Sequence, residues 1–140
     1  MKVRNVQVLI KTEDKDLEER LKEMVSKIGA RVVETENLSK DELKKIDLLI
    51  IDTREMEYES MFEFIGEIRK LNHKIKIMWL TCKDNIKSSL LAMKVGVTEE
   101  VFFPIDVKTL KNKIKILLEV SQKEKREHQS MLKMEKIDFV

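Results

Sequence analysis

Side chains suited to phosphate or metal chemistry follow three of the apolar, strand-like runs in this sequence. They are Asp52, Thr81 and the polar loop 12–14, which reads Thr-Glu-Asp. An aspartate can act as a nucleophile in phosphoryl transfer, and hard carboxylate oxygens are preferred ligands of Mg²⁺. If these residues meet in one cleft, the sequence indicates a phosphate-binding or metal-binding site.

Two kinds of periodicity alternate along the chain and predict the elements that position these side chains. The uninterrupted apolar run 48–51 is typical of a central parallel strand buried on both faces. Apolar residues at helical spacing, such as Leu17 and Leu21, indicate helices between the strands. Five such strand–helix units predict an α/β fold with a doubly wound, five-stranded parallel sheet. Functional groups in such sheets gather at the carboxyl ends of the strands.

Caps and apolar spacing predict the helix boundaries. Ser39 and Glu42 form a capping box at the start of a short second helix. Asp84 is expected to cap the fourth helix, which ends at Gly96. The third helix is expected to turn its apolar residues inward, namely Met61, Phe62, Phe64, Ile65 and Ile68.

Composition limits the classes of protein to be considered. The 140 residues suit one domain over 1–120 with an extension over 121–140, and a net charge of +2 gives no indication of binding to nucleic acid or an anionic membrane. The single Cys82, the lack of a signal peptide and the lack of an apolar span of about 20 residues predict a cytoplasmic protein. Charged residues make up 39%, mostly Lys and Glu, which suggests a thermophilic source.

Four short motifs, in order, carry a resemblance to a known family. Over residues 3 to about 120 the chain resembles the response-regulator receiver (CheY-like) family. Segment 47–52 resembles the strand that ends in the phosphoaccepting aspartate, and 80–82 the strand that bears a phosphate-sensing Ser or Thr. Segment 93–97 is similar to the end of the fourth helix, and 103–106 falls where the family has Lys-Pro-Phe.

The resemblance implies a fold and a site. The fold is the flavodoxin-like receiver fold with strand order 2-1-3-4-5, and the bond between Phe103 and Pro104 is expected to be cis. Asp52 becomes the candidate phosphoacceptor and Thr81 the candidate phosphate sensor.

Several positions depart from the family pattern. Thr12 and Glu13 stand where the family has two Mg²⁺-binding acids, so Asp52 and Glu13 remain as candidate Mg²⁺ ligands, with Asp14 as a substitute after a local shift. Phe103 stands where the family has the lysine that binds the phosphoryl group.

Two further departures affect the region around the phosphoacceptor. Glu100 replaces the switch aromatic of the fifth strand, and the loop 53–57 lacks the usual Pro and Gly and holds one extra residue. A phosphoryl-aspartate needs a cationic partner, and Arg54 is near enough in sequence to fold over the site. Mg²⁺ binding is therefore expected to be weak or absent.

The sequence and the resemblance leave two main hypotheses of function, from different classes. The favoured one is a non-enzymatic signalling module, an atypical or pseudo-receiver that acts through contacts with a histidine kinase or an output protein. The alternative is a working phosphoacceptor that takes phosphate on Asp52 from a histidine kinase with Mg²⁺. A distant third is an unrelated flavodoxin-like binding domain, although the loop after the first strand contains no glycine for a phosphate loop.

The extension 121–140 has its own pattern. Segment 122–127 is wholly polar, and an apolar group follows that comprises Met131, Leu132, Met134, Ile137, Phe139 and Val140. High helix propensity lets the fifth helix continue into this segment. An exposed apolar group favours docking on a second copy of the chain, so a homodimer is predicted. A tail that folds back on its own domain, or a linker to an output domain, are the alternatives.

Overall fold

The computed structural model describes residues 3–34, 36 and 38–138, with side chains up to residue 134. Strands and helices alternate throughout, as the periodicity predicts. The strands are β1 (Gln7–Lys11), β2 (Arg31–Val33), β3 (Leu48–Asp52), β4 (Lys76–Cys82) and β5 (Glu99–Phe103). The helices are α1 (Lys15–Ile28), α2 (Lys40–Lys44), α3 (Tyr58–Leu71), α4 (Ile86–Val95) and α5 (Val107–Asp138).

The five strands form one parallel sheet in the order β2-β1-β3-β4-β5, which confirms the predicted topology. Every residue of the central strand β3 is buried. Because side chains alternate along a strand, Leu48 and Ile50 join the core against α1 and α5, whereas Leu49 and Ile51 join the core against α3. The bond between Phe103 and Pro104 is cis, as the resemblance predicts.

Two predictions about the helices, one of burial and one of capping, were wrong in detail. Phe62 is 52% exposed, because Met61, Ile65 and Ile68 already cover the sheet and Phe62 lies about 100° around the helix from Met61. The cap of α4 is Asn85 rather than Asp84: its Oδ1 accepts a hydrogen bond from the Ser88 backbone N–H.

The outer surface of α4 carries apolar side chains, and the start of α2 is capped by a serine. Ile86, Leu90 and Met93 of α4 are all exposed. The predicted cap of α2 is confirmed, since Ser39 Oγ accepts from the Glu42 N–H at 3.1 Å.

The last helix continues beyond the sheet as a single element. Lys125 Nζ lies 2.7 Å from Asp47 Oδ2, and Lys76 Nζ lies 2.7 Å from Glu124 Oε2. These pairs attach the extension to the amino-terminal ends of β3 and β4, while the division at residue 120 stays a prediction. The side chain of Ile137 and residues 139 and 140 lie outside the described part. None of the helices in the described ranges is both long and apolar enough to cross a membrane.

Candidate functional site

The carboxyl ends of β1, β3 and β5 place four side chains together. Thr12 follows β1, Asp52 is the last residue of β3, and Phe103 is the last residue of β5. Arg54 reaches the same place from the loop after β3. Asp52 is only 4% exposed, so its carboxylate must be satisfied by protein groups.

The guanidinium of Arg54 binds both oxygens of the Asp52 carboxylate. Arg54 Nε donates to Oδ1 at 3.0 Å and Nη2 donates to Oδ2 at 2.8 Å. The Arg54 backbone N–H also donates to Oδ1 at 3.1 Å, and the Thr12 hydroxyl donates to Oδ2 at 2.7 Å. Four donors therefore surround one carboxylate, in the two-pronged geometry that makes arginine–carboxylate pairs strong.

Two further contacts hold the Arg54 side chain in this position. Its Nη2 lies 3.2 Å from Asp14 Oδ2, and its guanidinium carbon lies 3.8 Å from the centre of the Phe103 ring. A guanidinium packed over an aromatic ring gains a cation–π attraction. Phe103 stands where the receiver resemblance predicted a lysine, and its ring thus supports a cation that comes from another position in the chain.

The charges of the cluster stabilise each other. Burial by itself raises the pKa of Asp52, but hydrogen bonds from Arg54 and Thr12 outweigh it and hold that pKa below its ordinary value. The hydrogen bond to Asp52 raises the pKa of Arg54. The backbone N–H of Leu17 lowers the pKa of Asp14, which caps α1. The carboxylate is therefore ionised and already paired with a cation.

The predicted sensor Thr81 belongs to a neighbouring buried network. Its hydroxyl donates to Ser88 Oγ at 2.8 Å, and the Trp79 indole N–H donates to the same oxygen at 2.9 Å. Thr53 Oγ1 donates to the Leu80 carbonyl at 2.9 Å and lies 3.4 Å from Ser88 Oγ. Among the described residues, the hydrogen bonds of Thr81 link β4 to α4 and do not reach Asp52.

The side chains at this end of the sheet do not form a suitable set of ligands for Mg²⁺. Both Asp52 oxygens already accept hydrogen bonds, and Arg54 contributes a positive charge where a divalent ion needs oxygen ligands. Glu13, the predicted second ligand, is exposed and makes no hydrogen bond or ion pair with another described residue, whereas Asp14 pairs with Arg54. Within the described ranges, no group of three or more His, Cys, Asp or Glu could hold a metal ion.

One participant in this region, Ser88, was not identified from the sequence, and the contacts of Arg54 were predicted only in part. Ser88 was missed because it lies on α4 and meets Trp79 and Thr81 only after folding. Arg54 was noted, but its contact with Phe103 joins residues far apart in sequence. A weak signal for Ser88 was available, because it is a serine in the first turn of the helix that follows β4.

Solved structures that share this architecture include several with receiver-type names. A CheY-like receiver domain protein from Methanospirillum hungatei aligns with a TM-score of 0.66 and 20% identity over 85% of this chain and 98% of that one. A CheY-like protein (tadZ) from Pseudomonas aeruginosa aligns with a TM-score of 0.65 and 14% identity over 81% and 99%. An adenylate cyclase structure from Rhodopirellula baltica aligns with a TM-score of 0.66 and 22% identity over 92% and 98%.

These similarities show that the chain has the CheY-like receiver fold. No protein-family model and no curated protein sequence matches the chain.

Proposed function

We propose that this protein is a cytoplasmic, non-enzymatic receiver-like signalling module that works through protein contacts without phosphorylation of Asp52. One observation carries the proposal: Arg54 binds Asp52 through both carboxylate oxygens. The receiver fold supplies the signalling context. Arg54 and Thr12 occupy the Asp52 oxygens that a phosphoryl group or Mg²⁺ would have to reach.

The pairing opposes phosphorylation in two ways. A nucleophilic carboxylate oxygen must present a free lone pair to the phosphorus atom, and hydrogen bonds from Arg54 and Thr12 compete for those lone pairs. A lowered pKa also marks a carboxylate whose ionised form is stabilised, and such a group is a weaker nucleophile.

The buried network beside this pair connects it with the surface of α4. Thr53 follows Asp52 directly and lies near Ser88 on α4. On its outer side α4 exposes Ile86, Leu90 and Met93, the last of which is 79% exposed. This apolar surface is suited to a protein partner, a histidine kinase or an output protein, which would recognise a permanently held conformation.

Binding of a phosphoryl mimic tests the proposal. The purified protein is expected to show no change in its ¹H–¹⁵N NMR spectrum when beryllofluoride and Mg²⁺ are added together, because Asp52 has no free oxygen to bind beryllium. Fluoride with Mg²⁺ but without beryllium is the control for salt effects. Saturable shifts at Asp52 and Thr81 that require beryllium would support the working phosphoacceptor instead.

The working phosphoacceptor retains one supporting observation. The Arg54 side chain is 32% exposed and comes from a surface loop, so it can leave Asp52 without disturbing the core. If the protein is a working phosphoacceptor, Arg54 is the cation that replaces the lysine of the receiver family. The mimic experiment separates the two functions directly.

The extension of α5 leads to a second proposal, that the protein forms a homodimer. Met131, Leu132 and Met134 are 62%, 44% and 65% exposed in the single chain. A second copy offers the same apolar surface, and an interface formed by the same patch on both subunits closes as a two-fold dimer.

Light scattering coupled to size exclusion tests the dimer. The full chain is expected to have the mass of two copies, and the variant Met131→Lys/Met134→Lys the mass of one, because two charges at the interface would lose their hydration without partners. Met93→Lys changes a methionine on α4 that is even more exposed, and it should leave the mass unchanged. A monomeric full chain contradicts the proposal.

A further inference from the structure

A basic cleft lies at the amino-terminal end of the sheet, opposite the Asp52 site. Its volume is about 710 Å³, and the α5 extension forms one wall while the segments after α2 and α3 form the others. Small-molecule sites typically occupy about 300–1,000 Å³. The cleft is therefore large enough for a nucleotide-sized ligand.

Ion pairs and hydrogen bonds hold the α5 wall against the sheet. Lys125 Nζ contacts Asp47 Oδ2 at 2.7 Å and the Asn5 carbonyl at 2.6 Å. Lys76, whose side chain is 14% exposed, contacts Glu124 at 2.7 Å. Because these contacts already exist in the free protein, a ligand would not have to order the helix in order to bind.

The positive charge of the cleft exceeds its negative charge. Five lysines and only two carboxylates line it, and both carboxylates are paired. Lys44, Lys45 and Lys74 are exposed and form no ion pair with another described residue. Their ammonium groups are available to an anion that enters the cleft.

Carbonyl oxygens at the end of α2, which would repel an anion, are already bonded. Asn72 Nδ2 donates to the carbonyls of Leu43 and Ile46 at 3.0 and 2.7 Å. The carbonyl end of this short helix carries partial negative charge, and the Asn72 hydrogen bonds reduce its repulsion of an anion near the lysines.

A buried hydroxyl in the lining lacks a partner. Ser121 is 4% exposed, lines the cleft, and its Oγ makes no hydrogen bond within the described part of the chain. A buried polar group without a partner is costly, so such groups in native proteins usually bind a water molecule or a ligand. This hydroxyl lines the same cleft as five lysines, and it can donate to an anionic oxygen once its side chain turns toward the cleft.

We infer that this cleft binds a small anion with two or more phosphate groups, in the class of nucleoside di- and triphosphates. Lysine ammonium groups bind phosphate as point charges, and three unpaired ones suit a chain of phosphates better than one carboxylate. Ser121 Oγ donates to a phosphate oxygen at the buried end. The inference is independent of the state of Asp52.

Isothermal titration calorimetry of the full chain at near-physiological salt tests this site with ATP, inorganic tripolyphosphate and adenosine as probes. ATP and tripolyphosphate are expected to bind and adenosine is not. Lys45→Ala/Lys74→Ala should weaken binding by about tenfold or more, since two charge-assisted contacts are lost. Ser121→Ala should weaken it by roughly threefold, as expected for one neutral hydrogen bond.

Matched control variants distinguish binding in the cleft from nonspecific attraction to positive charge. Lys108→Ala/Lys111→Ala removes the same charge from exposed positions near the start of α5, and Ser26→Ala removes an exposed hydroxyl; both should bind like the unchanged protein. Circular dichroism verifies that each variant is folded. Absence of binding to both phosphate probes overturns the inference, as do equal losses in the two lysine variants. Tighter binding of duplex DNA than of ATP, lost in Lys45→Ala/Lys74→Ala, also overturns it, because the site then serves nucleic acid.

Discussion

Thr12→Asp/Arg54→Ala/Phe103→Lys is expected to accept a phosphoryl group on Asp52 from acetyl phosphate and Mg²⁺, whereas the unchanged protein accepts none. The substitutions remove the Arg54 pair and the Thr12 hydrogen bond, and they restore the acid and the lysine that the family resemblance assigns to these positions. Intact mass spectrometry measures the gain of one phosphoryl group. We expect most of the variant and a negligible fraction of the unchanged protein to be modified.

Adding Asp52→Asn to the triple variant is the control for the site of modification, and it should abolish the gain in mass. Phe103→Lys alone should have little effect, because Arg54 still covers the carboxylate. Stoichiometric modification of the unchanged protein would contradict the proposed function. An unmodified triple variant would show that something other than Arg54, Thr12 and Phe103 blocks the chemistry.

Arg54→Ala is expected to lower the free energy of unfolding by about 2–3 kcal/mol at neutral pH, below the range for a fully buried pair because Arg54 is one-third exposed. The loss arises because the substitution leaves the Asp52 carboxylate buried with fewer donors. Urea denaturation measures the change. Arg20→Ala, an exposed arginine on α1, is the control and should cost well under 1 kcal/mol.

The cost of Arg54→Ala should shrink on acidification. In the unchanged protein the pKa of Asp52 lies below its ordinary value of 3.8, so its stabilising effect is complete above that value and is lost as the pH falls through the lower folded pKa. Without Arg54, fewer hydrogen bonds oppose the effect of burial, so the pKa of Asp52 rises. Protonation of Asp52 in acid then removes the buried charge that destabilises the variant. The two unfolding free energies should therefore converge in acid.

Asp52→Asn/Arg54→Ala should recover part of the lost stability, because no charge remains buried. An Arg54→Ala variant as stable at neutral pH as the unchanged protein would show that the ion pair contributes little. A cost that stays constant between neutral and acid pH would place its origin in packing against Phe103 rather than in the charge of Asp52.

Much of the architecture could be predicted from the sequence because its signals are local. The apolar run 48–51 between charged residues predicts a strand buried on both faces, and β3 is such a strand. Helical spacing of Leu17 and Leu21 predicts α1, and Ser39 with Glu42 predicts the start of α2. These patterns involve residues that are close together in sequence, so they can be recognised without knowledge of the tertiary structure. The order of the strands followed from the family resemblance.

Side-chain direction around a helix was less predictable. Phe62 was expected inside and lies outside, because hydrophobicity does not distinguish a residue that faces the sheet from a neighbour on the flank. The α4 cap lies one residue later than predicted. Asn85 also accepts a hydrogen bond from the Tyr58 hydroxyl at 2.8 Å, a contact with the start of α3 that no local pattern indicates.

The sequence by itself determined which side chains stand at the carboxyl ends of the strands, Asp52 among them. Only the tertiary structure decided that Arg54 turns back onto Asp52, because that requires the Phe103 ring from β5 and the Asp14 carboxylate before α1 at one place. The basic cleft has the same origin: Lys45, Lys74 and Ser121 are far apart in the chain and line one cleft where α5 passes the amino-terminal ends of β3 and β4. Such contacts depend on strand register and helix docking, which no local pattern encodes.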